Sequence, residues 1–353
     1  MRLGIATSIP WLPDKSQQEC FEDALAEVQL AEDLGFDCVW FTEHHFARHG
    51  LNSGLTAWLA AVAMKTSRIR IGSTVFVLPF WDPIRLAEDV AMVDILSNGR
   101  VEFGVGTGYR IDEFAGFGID PDIARAKGRE CFDIVMELWK GEPVTFKGEY
   151  HELNEVAIRP VPLQKPHPPV WWPGQSPGTL EYIAKNGFNW MSATTLGTTA
   201  AIVERRETLI GLLEAEGRSI DDLGIYIHVP TLVANKTYDE IREAAEPGIQ
   251  FLRNSAMWYT ARATPGAGTI YGKPGGPMAP FDFKSFYENE AFFGDPETCF
   301  NKIETLYKAI RPTELTFLFK QGQSRQDAFA SMQLFAEEVM PRVRELEAAP
   351  VTG

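Results

Sequence analysis

The sequence predicts a single (β/α)8 barrel. Three observations lead there: strand-like and helix-like segments alternate along almost the whole chain, the strand-like runs number eight, and those runs are apolar on both faces. Strands buried on both sides belong in a parallel sheet, with helices over one face and a core filling the other. At 353 residues, 45% hydrophobic and 12% aromatic, the chain has material for one large core spanning 1–353.

The strand candidates are Arg2–Thr7, Asp37–Thr42, Ile69–Val77, Val101–Val105, Pro169–Trp172, Asn189–Ser192, Gly224–Val233 and Glu314–Phe319. Helical patterns separate them. Phe21–Leu34 repeats apolar residues at three- and four-residue spacing, and Arg85–Leu96 is closed by Ser97-Asn98-Gly99, good helix-stop chemistry. Eight such units favour a barrel over a doubly wound sheet. Two segments interrupt the rhythm. Residues 140–168, with Gly-Glu-Tyr-His and several prolines, read as a hairpin excursion after the fourth helix. Residues 254–294 mix Pro-Gly and Gly-Pro steps with Trp258, Tyr259, Tyr271, Phe281, Phe283, Phe286 and Tyr287. They are expected to form a long loop between strands 7 and 8 that closes over a site as a lid.

A formal charge of -15 disfavours nucleic acid and anionic membranes as partners. Cys20, Cys38, Cys131 and Cys299 are scattered with no CxxC pair, as expected of reduced thiols in a cytoplasmic protein. The start, Met1-Arg2-Leu3-Gly4-Ile5, reads as a first strand without a signal-peptide pattern. The longest apolar stretch, around Ala57 to Met64, is too short to span a bilayer.

Chemistry concentrates in Glu43-His44-His45-Phe46, just after the apolar run Cys38-Val39-Trp40-Phe41. It therefore sits at the carboxyl end of a strand, where barrel enzymes carry their active sites. Successive side chains of an extended segment point to opposite faces, so one histidine faces the pocket and the other packs or positions it. Adjacent histidines chelate poorly, which argues against a metal. A strand end with two hydrogen-bonded structural histidines is the plainer alternative.

Further segments resemble the bacterial luciferase-like flavin monooxygenases. Leu78-Pro79, Asp82-Pro83-Ile84-Arg85-Leu86-Ala87-Glu88-Asp89 and Leu96-Ser97-Asn98-Gly99-Arg100 are similar to that family's third strand and following helix. Phe103-Gly104-Val105-Gly106-Thr107-Gly108-Tyr109 is similar to its fourth-strand segment. Lys165-Pro166-His167-Pro168-Pro169-Val170-Trp171 with Gly174-Gln175-Ser176 is similar to its fifth strand and phosphate loop. The likeness is close over about residues 1–235 and looser beyond. A G-x-G-x-G run at Gly104, Gly106 and Gly108 has the wrong spacing for a dinucleotide fingerprint and better suits a planar cofactor approaching the backbone.

The resemblance implies an FMN site built from Thr74, Val75, Gly106, Thr107, Tyr109, Arg125, Gly174, Gln175, Ser176, Gly178 and Thr179, with a cis peptide at Thr74-Val75 against the ring. The physical reading agrees: a strand-to-helix turn at residues 174–179 offers backbone N–H groups to a phosphate, and Arg125 a cationic anchor. Ordinary helix capping makes similar demands of Ser176 and Thr179. Light-emitting relatives carry a reactive cysteine where this chain has Gly106, a phosphate arginine where it has Thr107 and an aspartate where it has Glu113. Light emission is therefore not inferred.

The expected function is a two-component FMN-dependent monooxygenase. Reduced FMN from a separate flavin reductase would react with oxygen to a flavin peroxide and oxygenate a small apolar substrate. His44 would be the acid/base group and His45 a positioning group, with Trp11, Phe46, Phe76, Trp190 and Trp258 around the substrate, although core packing explains any one of these aromatics equally well. The alternatives are a deazaflavin-dependent hydride-transfer oxidoreductase of the same superfamily and a non-catalytic flavin-binding protein. Relatives pair through helices next to the second and third strands, and Ala57, Ala60, Ala61 and Met64 offer such a face for a homodimer.

Overall fold

A computed structural model describes residues 1–263, 281–320 and 323–348; the side chains of 255–263 and 347–348 also lie outside the description. Twelve strands are present among these residues: β1 (Arg2–Thr7), β2 (Cys38–Phe41), β3 (Arg70–Ser73), β4 (Phe76–Val77), β5 (Val101–Gly106), β6 (Val144–Lys147), β7 (Glu152–Val156), β8 (Val170–Pro173), β9 (Asn189–Ala193), β10 (Ile225–Val233), β11 (Phe292–Gly294) and β12 (Glu314–Leu318). Eight of them close into a parallel barrel in the order β1-β2-β3-β5-β8-β9-β10-β12, with β12 returning to β1. The protein is a (β/α)8 barrel, and each expected strand supplies one stave.

Register decides which residues fill the barrel. In this fold the inward side chains stack in layers drawn from alternate strands. From the N-terminal end upward, Arg2 and Arg70 are followed by Cys38, Glu102 and Glu314, and then by Gly4, Gly72, Trp171 and Tyr226. The next layer is Trp40, Gly104, Met191 and Thr316; above it come Ala6, Thr74, Pro173 and His228, and then Thr42, Gly106, Ala193 and Leu318. Large and small residues alternate because the bore is narrow. A Cβ on Gly72 would overlap the Trp40 ring, and one on Gly224 would overlap Trp171. Trp40, Trp171 and Tyr226 meet edge to face, Trp40 at 5.5 and 4.9 Å from the other two ring centres.

Below this aromatic floor lies a polar plug. Arg2 pairs with Glu102 and, at 2.6 Å, with Glu314; Arg70 also pairs with Glu102. The indole N–H of Trp171 donates to Glu102 at 2.6 Å, and that of Trp40 donates to Glu314. Burial pushes the Glu314 pKa up despite Arg2, while for Arg2 the two carboxylates outweigh burial and raise it. The charges are paired and hydrogen-bonded, which is what burial demands of them.

The excursion at 140–168 is present as the antiparallel pair β6–β7. Within 254–294, the described part is not a simple loop: residues to Ala263 belong to the helix Tyr238–Ala263, and Phe283–Asn289 is a helix leading into β11 beside β10. Phe283, Phe286 and Phe293 pack with Ile241, Ala245 and Ile249 into a second small core. These aromatics are therefore placed in packing that holds β11 to its helix, and residues 264–280, including Tyr271, lie outside the described residues. Among the described residues no helix is long and apolar enough to cross a membrane.

The floor makes a measurable demand on Gly72. Gly72→Ala is expected to destabilise the protein by about 1–3 kcal/mol in chemical denaturation. Gly211→Ala, in the helix Thr199–Ala215 with nothing within 4 Å of the added Cβ, should stabilise it by about 0.5–1 kcal/mol. Equal responses at the two positions would show that the floor is not close-packed.

Candidate active site

The two ends of the barrel differ. At the floor Trp40, Trp171, Met191 and Tyr226 are each no more than 2% exposed. One layer higher, Thr74, Pro173 and His228 face the axis yet keep accessible surface, as do Thr42, Val75 and Leu318. Inward residues retain surface only where the bore is empty, so the barrel is hollow from this level to its C-terminal mouth. The opposite end has a depression of about 530 Å³ outside the Arg2–Glu102 plug, but no histidine lines it.

The hollow opens beside the histidine pair, and two carboxylates sort the histidines. Glu43, 3% exposed, accepts from the Val77 N–H at 2.8 Å and the Trp81 indole at 3.0 Å, and meets His45 Nε2 at 2.9 Å. His45 is thus held away from the hollow, its ring among Phe46, Phe80 and Phe117. Glu113 holds the other: one oxygen lies 3.1 Å from His44 Nδ1 and accepts the His45 backbone N–H at 3.0 Å. His44 Nε2 has no hydrogen-bond partner among the described residues. The two rings are thus held by different carboxylates, His44 by Glu113 and His45 by Glu43.

A second tier supports His44. The His49 ring lies 4.2 Å from that of His44, and Gly50 packs against His44 so closely that a Cβ would sit 3.1 Å from His44 Cβ. Arg110 pairs with Asp112, reaches Glu113 at 3.4 Å and contacts His49 Nε2 at 3.1 Å. Burial, with His44 and Arg110 nearby, pushes the His49 pKa well below its ordinary 6.5, so this imidazole is neutral. For Glu113 burial acts upward, but the His44 and His45 hydrogen bonds and Arg110 outweigh it and hold the carboxyl below 4.5. Glu113 is ionised beneath a histidine, an arrangement suited to steadying a proton on His44.

The residues expected for the cofactor follow the carboxyl ends of β3, β5 and β8. The Thr74–Val75 peptide is cis. A Cβ on Gly106 would lie 2.8 Å from Val75, so only glycine lets these strands approach there. Thr107 contacts the face of the helix Pro121–Leu138 at Gly128, and Tyr109 is 47% exposed at the rim, 6.5 Å from the His44 ring. Ser176 precedes the helix Pro177–Asn186 but does not cap it; its hydroxyl bonds that of Thr179 at 2.9 Å. Gly178 has open space around it, whereas Gly174 is packed against Ile183, Leu180 and Trp190 and its N–H is spent on Met191. Gln175 reaches Ser192 at 3.4 Å through Nε2 while its Oε1 is buried without a partner. Arg125 is exposed and makes no ion pair among the described residues, and one turn on Arg129 stacks over Tyr182 of the neighbouring helix at 4.2 Å. Two hydroxyls, an uncapped helix start and an available guanidinium suit a phosphate.

The expected substrate residues divide. Phe46, 46% exposed on Gly116, stands at the rim, and Trp11 lies in the loop after β1 under the Arg48 guanidinium at 4.1 Å. Phe76 and Trp190 are 0% exposed and belong to the main core on the outer side of the strands. Phe76 packs on Trp81 and Phe103, and Trp190 donates to the Gly174 carbonyl. Neither reaches the hollow. Trp258 has its side chain outside the described residues. Sequence reasoning missed the linking role of Glu43, the Arg110–Asp112–His49 support and His228. The charged Arg110-x-Asp112-Glu113 run after the glycine-rich strand was the available signal. Among the described residues no group of three or more His, Cys, Asp or Glu is placed to hold a metal.

A barrel with a sealed floor, a hollow C-terminal mouth and a carboxylate-held histidine at the end of its second strand defines a class of enzyme scaffold. The luciferase-like monooxygenase family matches residues 1–313, and this chain belongs to that family. It is 28% identical over 358 residues to the oxygenase component of a flavin-dependent trigonelline monooxygenase from Acinetobacter baylyi, covering 98% of this chain and 96% of that protein. It is 30% identical over 243 residues to an F420-dependent glucose-6-phosphate dehydrogenase from Amycolatopsis mediterranei, covering 67% and 69%. Its fold is similar to the crystal structure of monooxygenase RslO1 from Streptomyces bottropensis, with TM-score 0.83, 25% identity and 97% and 99% of the two chains covered.

The site's electrostatics set an acid limb in two stages. His49 has a lowered folded pKa, so its contribution is present above 6.5 and falls as the unfolded chain takes up a proton below that value. Glu113, also lowered, contributes fully above 4.5 and loses that contribution as pH drops through its folded value. In denaturation midpoints across the acid range, His49→Asn should flatten part of the slope between 6.5 and 4.5. Glu113→Gln should flatten only the slope below 4.5. The reverse assignment would mean that the tier does not hold these charge states.

Proposed function

We propose that this chain is the oxygenase half of a two-component monooxygenase, using reduced FMN from a separate flavin reductase to oxygenate a small organic substrate. One observation carries the reading: His44, oriented by Glu113, shares a barrel mouth with an uncapped helix start and the available Arg125. Bound reduced flavin supplies the electrons that activate oxygen. Thr74, Val75 and Gly106 offer the wall against which its ring lies, and Ser176, Thr179, the Gly178 N–H and Arg125 the cradle for its phosphate. His44, with Nδ1 engaged by Glu113, holds or releases a proton at Nε2. His45 and Glu43 position the strand end, and the aromatic floor excludes water from below. The four cysteines are free and buried, in keeping with a cytoplasmic setting.

A second reading, hydride transfer with a deazaflavin, is favoured by the F420-dependent relative. It predicts tight deazaflavin binding and no oxygen consumption. The test is titration of the chain with FMN, riboflavin and a deazaflavin, followed by turnover with a reductase in air. Arg125→Ala should weaken FMN about tenfold or more while barely changing riboflavin, because only FMN carries the phosphate. His44→Ala should keep FMN binding and lose about a hundredfold or more in turnover. Equal weakening of both flavins would remove Arg125 from the phosphate, and undiminished turnover would remove His44 from the chemistry.

We also read the chain as a homodimer. The helix Leu55–Ala63 exposes Ala57 and Ala61 next to Met64, 66% exposed, and the helix Pro83–Leu96 exposes Met92, Ile95 and Leu96. These residues lie on the two helices that follow β2 and β3, too much apolar surface to leave in water. Sedimentation should give a dimer that Ile95→Glu converts to a folded monomer; a monomeric parent protein would overturn the assignment.

A further inference from the structure

The wall of the hollow is not uniformly apolar. His228, on β10, shares its layer with Ala6, Thr74 and Pro173 and stands across the barrel from Thr74, since β3 and β10 are opposite staves. The residue keeps some accessible surface, no hydrogen bond ties either ring nitrogen to a described residue, and Nε2 is buried without a partner among the described residues. Burial pushes its pKa down to about 4, so it is a neutral imidazole with one N–H donor and one acceptor. Two more polar atoms around the mouth are unsatisfied in the same way: Thr42 Oγ1, one layer higher, and Gln175 Oε1, just beyond β8.

Polar atoms buried without partners are costly, and proteins keep them chiefly where a ligand or water completes the set. A wall shaped only for hydrocarbon would carry aliphatic groups at these positions, as Ala6, Ala193 and Leu318 do on neighbouring staves. The flavin, in the reading above, takes the β3–β5 side through Thr74, Val75 and Gly106. The β10 side is left for the substrate, above a floor of three aromatic rings.

We infer that His228 is a specificity-determining residue, hydrogen-bonding a heteroatom of the substrate, and that the substrate class is small cyclic or aromatic compounds bearing a carbonyl oxygen or a ring nitrogen. This rests on the flavin reading of the preceding subsection and revises the expectation of a plainly apolar substrate. The aromatic floor accepts the flat ring of such a compound, and the imidazole selects its polar edge. Sites that hydrogen-bond a substrate atom reject the analogue lacking it far more strongly than apolar pockets reject one methylene.

The test uses the full chain loaded with FMN and two pairs of probes matched in shape: 4-methylpyridine against toluene, and cyclohexanone against methylenecyclohexane. Calorimetry should show the parent protein preferring the heteroatom member of a pair by about tenfold or more. His228→Phe should abolish that preference without changing FMN affinity, and His228→Gln, which keeps a hydrogen-bonding side chain, should retain part of it. A parent protein with no preference, binding of neither member included, overturns the inference. So does a His228→Phe protein that keeps the preference, or one that loses FMN affinity instead, which would assign His228 to the cofactor. If the parent protein fails to bind FMN, the flavin reading falls and this inference with it, by a signal distinct from the others.

Discussion

Everything above the middle of this barrel depends on how its lower half is closed. Trp40 lies where a side chain on Gly72 would be, and Trp171 lies where one on Gly224 would be. Three aromatic rings can share one narrow bore only because their neighbours in the layers are glycines. The ring edges carry polar atoms that need partners, and the plug supplies them: the two indole N–H groups end on Glu102 and Glu314, which Arg2 and Arg70 neutralise. Packing and electrostatics are thus one arrangement. With the floor so tightly filled, the small residues above it leave the bore open toward its C-terminal mouth.

The mouth is organised by carboxylates rather than by the histidines themselves. Glu43 joins the end of β2 to the end of β4 and to Trp81. Glu113 reaches back from the helix Ile111–Phe117 to the same strand end. Each holds one imidazole, so two neighbouring histidines just past the end of β2 are fixed by different partners. The rigidity comes from strands and a short helix, not from a mobile loop, which suits a group whose proton must be correctly aimed. The third imidazole, His49, is kept uncharged against His44; a second cation there would compete for Glu113.

Much of this was legible in the sequence, and what was not has physical causes. The eight staves are visible because continuous apolar runs bounded by helix patterns have few other uses. The hairpin at 140–168 announces itself through Gly-Glu-Tyr-His between alternating residues. Inside and outside of a stave are harder to tell apart: when both faces are apolar, alternation carries no label, so Phe76 and Trp190 looked as suited to a pocket as to the outer core they occupy. β11 is three residues long and pairs with only one strand, too short to leave a pattern. The aromatics near it suggested a covering segment, yet Phe283 and Phe286 are consumed in a second core. His228 was hidden for a similar reason, a single histidine within an otherwise apolar strand whose neighbours across the barrel are set by register. The Ser176–Thr179 turn could be read as a cap or as a cradle, and the bond between the two hydroxyls shows that the Ser176 side chain does not cap the helix.

The aromatic floor has an optical consequence. Two of its rings, Trp40 and Trp171, are indoles rigidly held one and two layers beneath the hollow and shielded from water. Indole fluorescence overlaps flavin absorption, so a flavin seated in the mouth would drain their emission by resonance energy transfer. A compound resting on the rings would alter the emission differently, by contact. The protein therefore contains, in the residues that seal its core, an intrinsic reporter of what occupies the space above them, readable in solution without any attached label.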